Sequence, residues 1–419
     1  MKKYDTYKDS GIEWIGEIPE HWEVSRYRYF YFSNMGMTIL KEDVMENGIY
    51  PVYSATEKDI FFGFVDEATV ILNEGDIVIP ARGNSIGHIK IVTSPSTSTQ
   101  TTIYSRRINQ NIKTNYVKYF LQGLREHLFQ FDKTAIPQIT VNQIKDNPLI
   151  IPQLSEQDSI AEYLDQKTTE IDELIADKEE LLKLYEEEKT VVINRAVTKG
   201  INPDAKMKDS GFEWLGEIPE HWETSSLKWV SKIYSGGTPS KNIEAFWQNG
   251  TIPWLNSGTV NQFFITEPSE FITEDALNNS SAKWISKGSI LIALAGQGKT
   301  KGMVAQVMLN CTCNQSMGVI VPNEKIDNRF LLYYLKNNYQ NIRNLGGGDK
   351  RDGINLEMVG GIYVPLIPFK EQQSIVKYIE SETSRIGKKI DETQKLIDLL
   401  KEYREALISE VVTGKVKVV

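Results

Sequence analysis

The chain contains one design twice. The segment YKDSGIEWIGEIPEHWE starting at Tyr7 returns as MKDSGFEWLGEIPEHWE at Met207, with 14 of 17 positions identical and a uniform offset of 200. Residues 156–198 echo residues 371–413 at an offset of 215. Each half is therefore expected to be a globular unit followed by a long helical unit. The middles align more faintly: Asn47-Gly48-Ile49-Tyr50-Pro51 with Asn249-Gly250-Thr251-Ile252-Pro253, and Gly75-Asp76-Ile77-Val78-Ile79 with Gly288-Ser289-Ile290-Leu291-Ile292. Between these two pairs the offset grows by about a dozen residues, which places an insertion in the second globule. The domain boundaries read as 1–152 for the first globule, 153–200 for its helix, 201–368 for the second globule and 369–419 for the last helix.

The 43-residue run from 156 to 198 has neither Pro nor Gly. Its apolar residues Ile160, Leu164, Ile171, Leu174, Leu181, Tyr185 and Val192 fall at heptad a and d spacing. The equivalents in the last helix are Ile375, Ile379, Ile386, Leu396, Leu400 and Leu407, with Lys389 as the polar exception. Ser155 is positioned as an N-cap, with Glu156 and Asp158 in the first turn. Such a helix is ~65 Å long and cannot bury its stripe alone. Two matched stripes in one chain predict that the helices pair as an antiparallel coiled coil, holding the globules at opposite ends of a rod. The competing arrangement lays each helix on its own globule or on a second copy.

Charge matters here because the net −9 argues against a polyanionic partner. Residues 24–150, however, carry 13 Lys/Arg and 12 Asp/Glu, and residues 224–366 carry 13 and 10, whereas residues 153–200 carry 6 and 13. The acidity sits on the connectors, and the globules are slightly basic, which permits nucleic-acid binding. No apolar run approaches the length of a membrane span and the start MKKYDTYKDS has no apolar core, so a cytoplasmic protein is expected. Cys311 and Cys313 stand without a His cluster and read as two thiols on a strand, with no metal role.

The globules read as mixed α/β, with short strands such as 77–80, 89–93, 289–294 and 303–309. Between paired strands lie Ala81-Arg82-Gly83-Asn84-Ser85-Ile86-Gly87 and Ala295-Gly296-Gln297-Gly298-Lys299-Thr300-Lys301-Gly302. Gly lets backbone approach a ligand closely, Arg and Lys reach phosphate or guanine, and Asn and Gln match adenine. The same loops are also compatible with solvated hairpins that hold nothing. Gly-Lys-Thr at 298–300 is no phosphate loop: Ala293 stands where Gly is needed, and the segment returns to a strand rather than opening a helix. Further polar loops are Gly346 to Gly353, Tyr234 to Lys241 and Pro253 to Gly258. Trp254 reads as core more readily than as a stacking platform, and His21 and His221 as packing elements. No cofactor loop, metal cluster, nuclease set or adenine-methylating motif is present, so no catalytic residue is assigned.

The paired DSG-EW-GEIPEHWE openings, the Gly236-Gly237-Thr238-Pro239 entry, the loop at 295–300, the IP…EQ..I helix starts and the ends Ala196-Val197-Thr198-Lys199-Gly200 and Val412-Thr413-Gly414-Lys415 together resemble the specificity subunit of type I restriction-modification systems. The resemblance spans nearly the whole chain. It implies an α/β (α+β) architecture of two homologous target-recognition domains separated by two antiparallel helices, with a pseudo-two-fold axis. It also implies a non-catalytic adaptor in which each domain reads half of a bipartite site on double-stranded DNA. The helices would set the gap, with half-sites about 34 Å apart, and dock two methyltransferase (M) subunits. S-adenosylmethionine would bind those subunits, which methylate adenine; ATP and Mg would serve motor-nuclease (R) subunits.

Contact residues expected from the loops are Arg82, Asn84, Ser85, Arg106, Arg107 and Lys133 in the first unit. In the second they are Lys241, Asn256, Gln297, Lys299, Lys301, Lys350 and Arg351. Two other readings remain open at this stage: service to a fused methyltransferase-nuclease, and a free-standing DNA-binding regulator that dimerises through its helices.

Overall fold

Each DSG…EIP segment closes into a two-stranded antiparallel ladder with the same register, Tyr7 opposite Pro19 and Met207 opposite Pro219. The Asp starts the turn: Asp9 Oδ1 accepts from the Gly11 amide at 2.9 Å, and Asp209 Oδ1 from Gly211 at 3.0 Å. This computed structural model describes residues 2–56, 60–131, 137–212, 214–296, 298–346 and 353–418. The chain forms two compact units, one of Met1–Glu180 with Thr393–Val419 and another of Leu181–Glu392. Both dividing points fall inside the long helices.

In the first unit a four-stranded antiparallel sheet runs in the order Tyr31–Met35, Thr102–Arg107, Ile77–Pro80, Lys90–Ile91. In the second unit the order is Ser231–Ser235, Met317–Pro322, Ile290–Ala293, Val304–Val307, with Phe264–Ile265 added at the edge. A three-stranded sheet accompanies each. Tyr50–Tyr53 lies between Gly63–Val65 (antiparallel) and Thr97–Ser98 (parallel), and Ile252–Leu255 lies between Glu270–Ile272 and Thr312–Cys313 in the same senses. The expected mixed α/β globules are thus present twice. The added length of the second globule is split, with strand Phe264–Ile265 in one connection and helix Glu274–Asn278 in the next.

The helices Thr114–Gly123 and Asn328–Asn337 bury their aromatic faces, including Tyr116, Phe120, Phe330 and Tyr334, and the last two share one core with Ile290, Ile292 and Ile320 of the second unit's sheet. Strand Glu23–Arg26 pairs with Pro148–Ile151, and Glu223–Ser226 with Tyr363–Leu366, so each globule's entry is tied to the strand that leads into a long helix.

The long helices span Leu154–Lys199 and Phe369–Val412. Within the first unit they run antiparallel: Arg404 forks onto the Asp172 carboxylate at 2.8 and 3.0 Å, and Lys401 lies 3.5 Å from Glu179. Within the second, Arg385 reaches Glu188 at 2.9 Å and the Lys389 ammonium lies 5.1 Å from the Tyr185 ring centroid. Ile160, Leu164, Ile171, Ile375, Ile379, Ile386 and Leu407 are buried as the stripe requires; Leu181, Tyr185, Val192 and Leu400 are half-buried.

Leu174 and Leu396 correct the heptad. They are 40% and 41% exposed, while Ile175 and Ile397 one residue later are buried. The inward row that continues farthest is Ile375, Ile386, Ile397 and Ile408, all buried. Its counterparts are Ile160, Ile171, Leu182 and Ile193, the last two half-buried. The spacing is 11 residues over three turns, about 3.67 per turn; such a row drifts ~20° per 11 residues on an ideal helix, whereas a strict heptad drifts ~20° the other way in only 7, so the 11-residue row keeps to one face for longer. Ser155 is likewise not the cap, because the helix starts at Leu154 and the Glu156 carboxylate reaches back to the Gln153 amide at 3.3 Å.

The EIPEHWE segments do more than fill space. Trp22 and Trp222 are fully buried, and each donates its indole N–H to the first-turn Glu of a long helix, at 3.4 Å to Glu156 and 3.0 Å to Glu371. His21 and His221 share those carboxylates at 2.9 and 3.0 Å. In the first unit the chain's far end closes on the same motif: the Tyr7 hydroxyl donates to the Gly414 carbonyl at 3.1 Å and Lys415 Nζ to Ile15 O at 2.8 Å.

Candidate nucleic-acid interface

At one end of each sheet, four loops gather around a two-residue turn. The strand Tyr31–Met35 exits into Gly36, whose amide donates to Thr102 O at 3.0 Å; Met37 N donates to Ser98 O at 2.9 Å. In the second unit Gly236 N donates to Met317 O at 3.3 Å and Gly237 N to Cys313 O at 2.8 Å. A Cβ on Gly36 would lie 2.3 Å from Thr99 O, and one on Gly236 2.3 Å from Cys313 O. Backbone crosses backbone here with no room for a side chain, which is why the Gly is needed.

The turn so gripped is Gln100-Thr101 in one unit and Gln315-Ser316 in the other. On one flank Thr99 N donates to Tyr53 O at 2.9 Å and Asn314 N to Leu255 O at 3.0 Å. On the other, Ala81 N donates to Thr101 O and Leu294 N to Ser316 O, both at 2.9 Å. A fourth segment follows: Ile139 N donates to Ala81 O at 3.0 Å and Ile354 N to Leu294 O at 2.7 Å. Bond for bond, the two units present the same framework with different loop sequences.

These loops bring together Arg82 and Asn84 in the first unit, and Lys241, Asn256 and Lys299 in the second, all exposed. The backbones beneath them are pinned. Arg125 donates to Ile86 O at 2.7 Å and Asn84 O at 3.2 Å; Arg343 donates to Gly298 O at 2.7 Å and Lys301 O at 3.2 Å. Gly87 and Gly302, at φ +76° and +84°, end the loops where a Cβ would strike Phe129 at 2.5 Å and Arg343 at 3.0 Å. Fixed backbone under exposed polar side chains suits recognition, because little order has to be imposed on binding.

Of the expected contacts, some are buried, some lie elsewhere and some are engaged within their own loops. Ser85 and Lys301 are buried in their loops. Arg106 and Arg107 sit at the far end of Thr102–Arg107, where Arg106 bonds Asp76 at 3.2 Å and Ile71 O at 2.7 Å, and Arg107 bonds Ile112 O at 3.2 Å. They line a polar cleft with Lys113, Asp158 and Glu162. Lys241 Nζ is engaged by Glu270 at 2.7 Å and lies 3.5 Å from the Trp247 ring centroid; Asn256 Oδ1 accepts from Gly258 N at 2.9 Å. Trp254 is core, 4% exposed. Lys133, Gln297, Lys350 and Arg351 lie outside the described residues.

Sequence reasoning passed over the central turn. The available signal was Thr99-Gln100-Thr101 against Asn314-Gln315-Ser316 at the helix offset of 215, together with Gly36 against Gly236. Among the described residues no group of three or more His, Cys, Asp and Glu could hold a metal ion. Cys311 and Cys313 are buried, and burial pushes the Cys311 thiol up to about 12 and Cys313 further, which suppresses the thiolate. Among the described residues no helix is long and apolar enough to cross a membrane.

The family model for the type I restriction modification DNA specificity domain matches residues 19–184 and again residues 219–398. The type I restriction enzyme MjaVIII specificity subunit of Methanocaldococcus jannaschii is 27% identical over 419 residues, covering 96% of this chain and 94% of the relative. The EcoR124I/EcoR124II specificity subunit of Escherichia coli is 28% identical over 231 residues, 51% of this chain and 56% of the relative. Among solved structures, a chain from work on complex assembly and conformational transition of the type I R-M system aligns with a TM-score of 0.72 at 14% identity, covering 95% of this chain and 99% of that one. The HsdS subunit from Thermoanaerobacter tengcongensis aligns with a TM-score of 0.60 at 16% identity, covering 95% and 98%.

Proposed function

Because the chain belongs to the type I restriction-modification DNA specificity family, its domain occurring twice, we propose that it is the adaptor giving such a complex its target. In this reading each globule reads one half of a bipartite duplex site. The observation that carries it is the repeated framework: the same four-loop cluster, built on the same backbone bonds, presents different side chains in the two units. A shared scaffold with divergent tips is what reading two different half-sites requires. Arg82, Asn84, Lys241, Asn256 and Lys299 are the exposed sequence-derived contacts on it, with Lys133, Gln297, Lys350 and Arg351 retained from the sequence as further contacts.

The helices supply the spacer and, in this proposal, the dock for two methyltransferase subunits. Each unit leaves apolar side chains of its helix pair in solvent: Leu174, Leu396, Leu399 and Tyr403 in the first, Leu184, Val191 and Tyr378 in the second. Exposed leucines and tyrosines on a polar helix suit a partner's helix. Chemistry belongs to the partners: S-adenosylmethionine to the methyltransferases, ATP and Mg to the motor-nuclease.

Mapping methylated bases in a cell carrying the system tests this. The expected map is one motif of two short blocks at a fixed gap, and the purified assembly should hold two methyltransferase chains per copy. A single-block motif, a homodimer without methyltransferase, or methylation by the purified chain alone would overturn it.

A further inference from the structure

Both units carry the same exposed pair at the centre of the loop cluster. The Thr38 hydroxyl donates to Gln100 Oε1 at 3.1 Å, and the Thr238 hydroxyl donates to Gln315 Oε1. Gln100 and Gln315 are exposed, and each opens the turn that the crossing glycine grips. Among the described residues neither amide nitrogen has a partner. The bond to threonine fixes the carboxamide plane and leaves two N–H donors plus the second lone pair of Oε1 facing solvent.

We infer that Gln100 and Gln315 read an adenine in the major groove, one in each half of the target, with Thr38 and Thr238 as positioning residues. The inference rests on the reading of the chain as a two-domain target reader. A carboxamide offers one donor and one acceptor from a single edge. Adenine presents the complementary pair, N7 accepting and N6 donating, whereas guanine presents two acceptors and cytosine a donor alone. The loops around the turn have diverged between the units: Arg82-Gly83-Asn84-Ser85 stands against a longer Gly- and Lys-rich loop, and Ser54-Ala55-Thr56 against Asn256-Ser257-Gly258. The Thr–Gln pair has not. Two readers of unlike half-sites keep in common the contact to whatever base the halves share. Orienting the amide in advance removes rotamer freedom that would otherwise be lost on binding.

The test uses the chain assembled with its methyltransferase subunits and a pool of synthetic duplexes carrying two randomised blocks at several spacings. Sequencing the captured duplexes gives the base preference at every position. The wild-type motif is expected to contain one adenine per half at equivalent positions. Gln100→Ala should relax that position in one half and Gln315→Ala in the other, each by roughly 5- to 100-fold in preference, with the opposite half unchanged. Gln315→Glu, which can only accept, should shift its position from adenine towards cytosine. Thr238→Val should relax the same position less, and Thr38→Val likewise in the other half. A merely structural glutamine would lower capture across all positions, with no change of base and no confinement to one half. If the wild type yields a two-block motif and the glutamine variants return it with the same preferences, this inference fails and the adaptor reading stands. If the wild type enriches no two-block motif, the adaptor reading itself fails.

Discussion

Gly414→Ala against Gly211→Ala separates a closed first unit from two independently ended helices. Gly414 follows the helix Phe369–Val412 at φ +74° and completes a Schellman end, with Lys415 N donating to Glu410 O at 2.8 Å and Gly414 N to Val411 O at 3.1 Å. An added Cβ would lie 2.3 Å from Pro19 Cδ and 2.9 Å from Trp22 Cζ3, and Trp22 is fully buried with no space to retreat. Gly211 has nearly the same φ, +77°, and nothing within 4 Å of the added carbon. Both variants bear the left-handed penalty of about 1–2 kcal/mol. Gly414→Ala adds overpacking of about 1–3 kcal/mol. That excess corresponds to roughly a 5- to 150-fold larger opening equilibrium, localised to the first unit. Native-state hydrogen exchange reads it: amides of residues 7–22 and 393–412 should exchange faster in Gly414→Ala than in Gly211→Ala. Equal protection of those amides in the two variants would refute the claim that the last helix is locked onto the first EIPEHWE segment.

The helix register makes a second prediction. Ile397→Ala removes a side chain that is 1% exposed and should cost about 2–5 kcal/mol, while Leu396→Ala, already 41% exposed, should cost under about 1 kcal/mol. Denaturant melts giving the reverse order would restore the heptad. The cysteines make a third. Burial raises the folded Cys311 thiol to about 12, against about 8.5 unfolded, so its contribution to stability is complete below about pH 8.5 and is lost as pH climbs towards 12. Native protein should resist iodoacetamide at pH 8.5 and react only on unfolding; stoichiometric labelling of the folded chain would sink the argument.

The structure bears out much of the expected fold, since repeated segments are visible as repeated letters and turn chemistry is local. The DSG turns, the paired globules and the antiparallel partner of each helix followed from offsets and from apolar spacing. The helix seam was misread at Leu174 and Leu396 because 3.5- and 3.67-residue periods coincide over about the first three turns, from Ile160 to Ile171, and separate only beyond them. Burial decides between them, and burial belongs to the pair, not to either helix.

The recognition end shows the same division. Loop composition pointed to Arg82, Asn84, Lys241, Asn256 and Lys299, which stand exposed, because Gly-rich polar segments between strands advertise themselves. It could not exclude Ser85 and Lys301, which fold inward, nor Arg106, which Asp76 and the Ile71 carbonyl hold. It could not show that Gln100 and Gln315 stand where four loops meet, because that place is made by backbone bonds between residues far apart in the chain, as from Gly36 to Thr102 and from Gly236 to Met317. Sequence alone fixed that there would be two readers and two helices, since duplication is written in the order of residues. Which side chains face outward was decided by tertiary structure, because exposure depends on what the rest of the chain brings alongside.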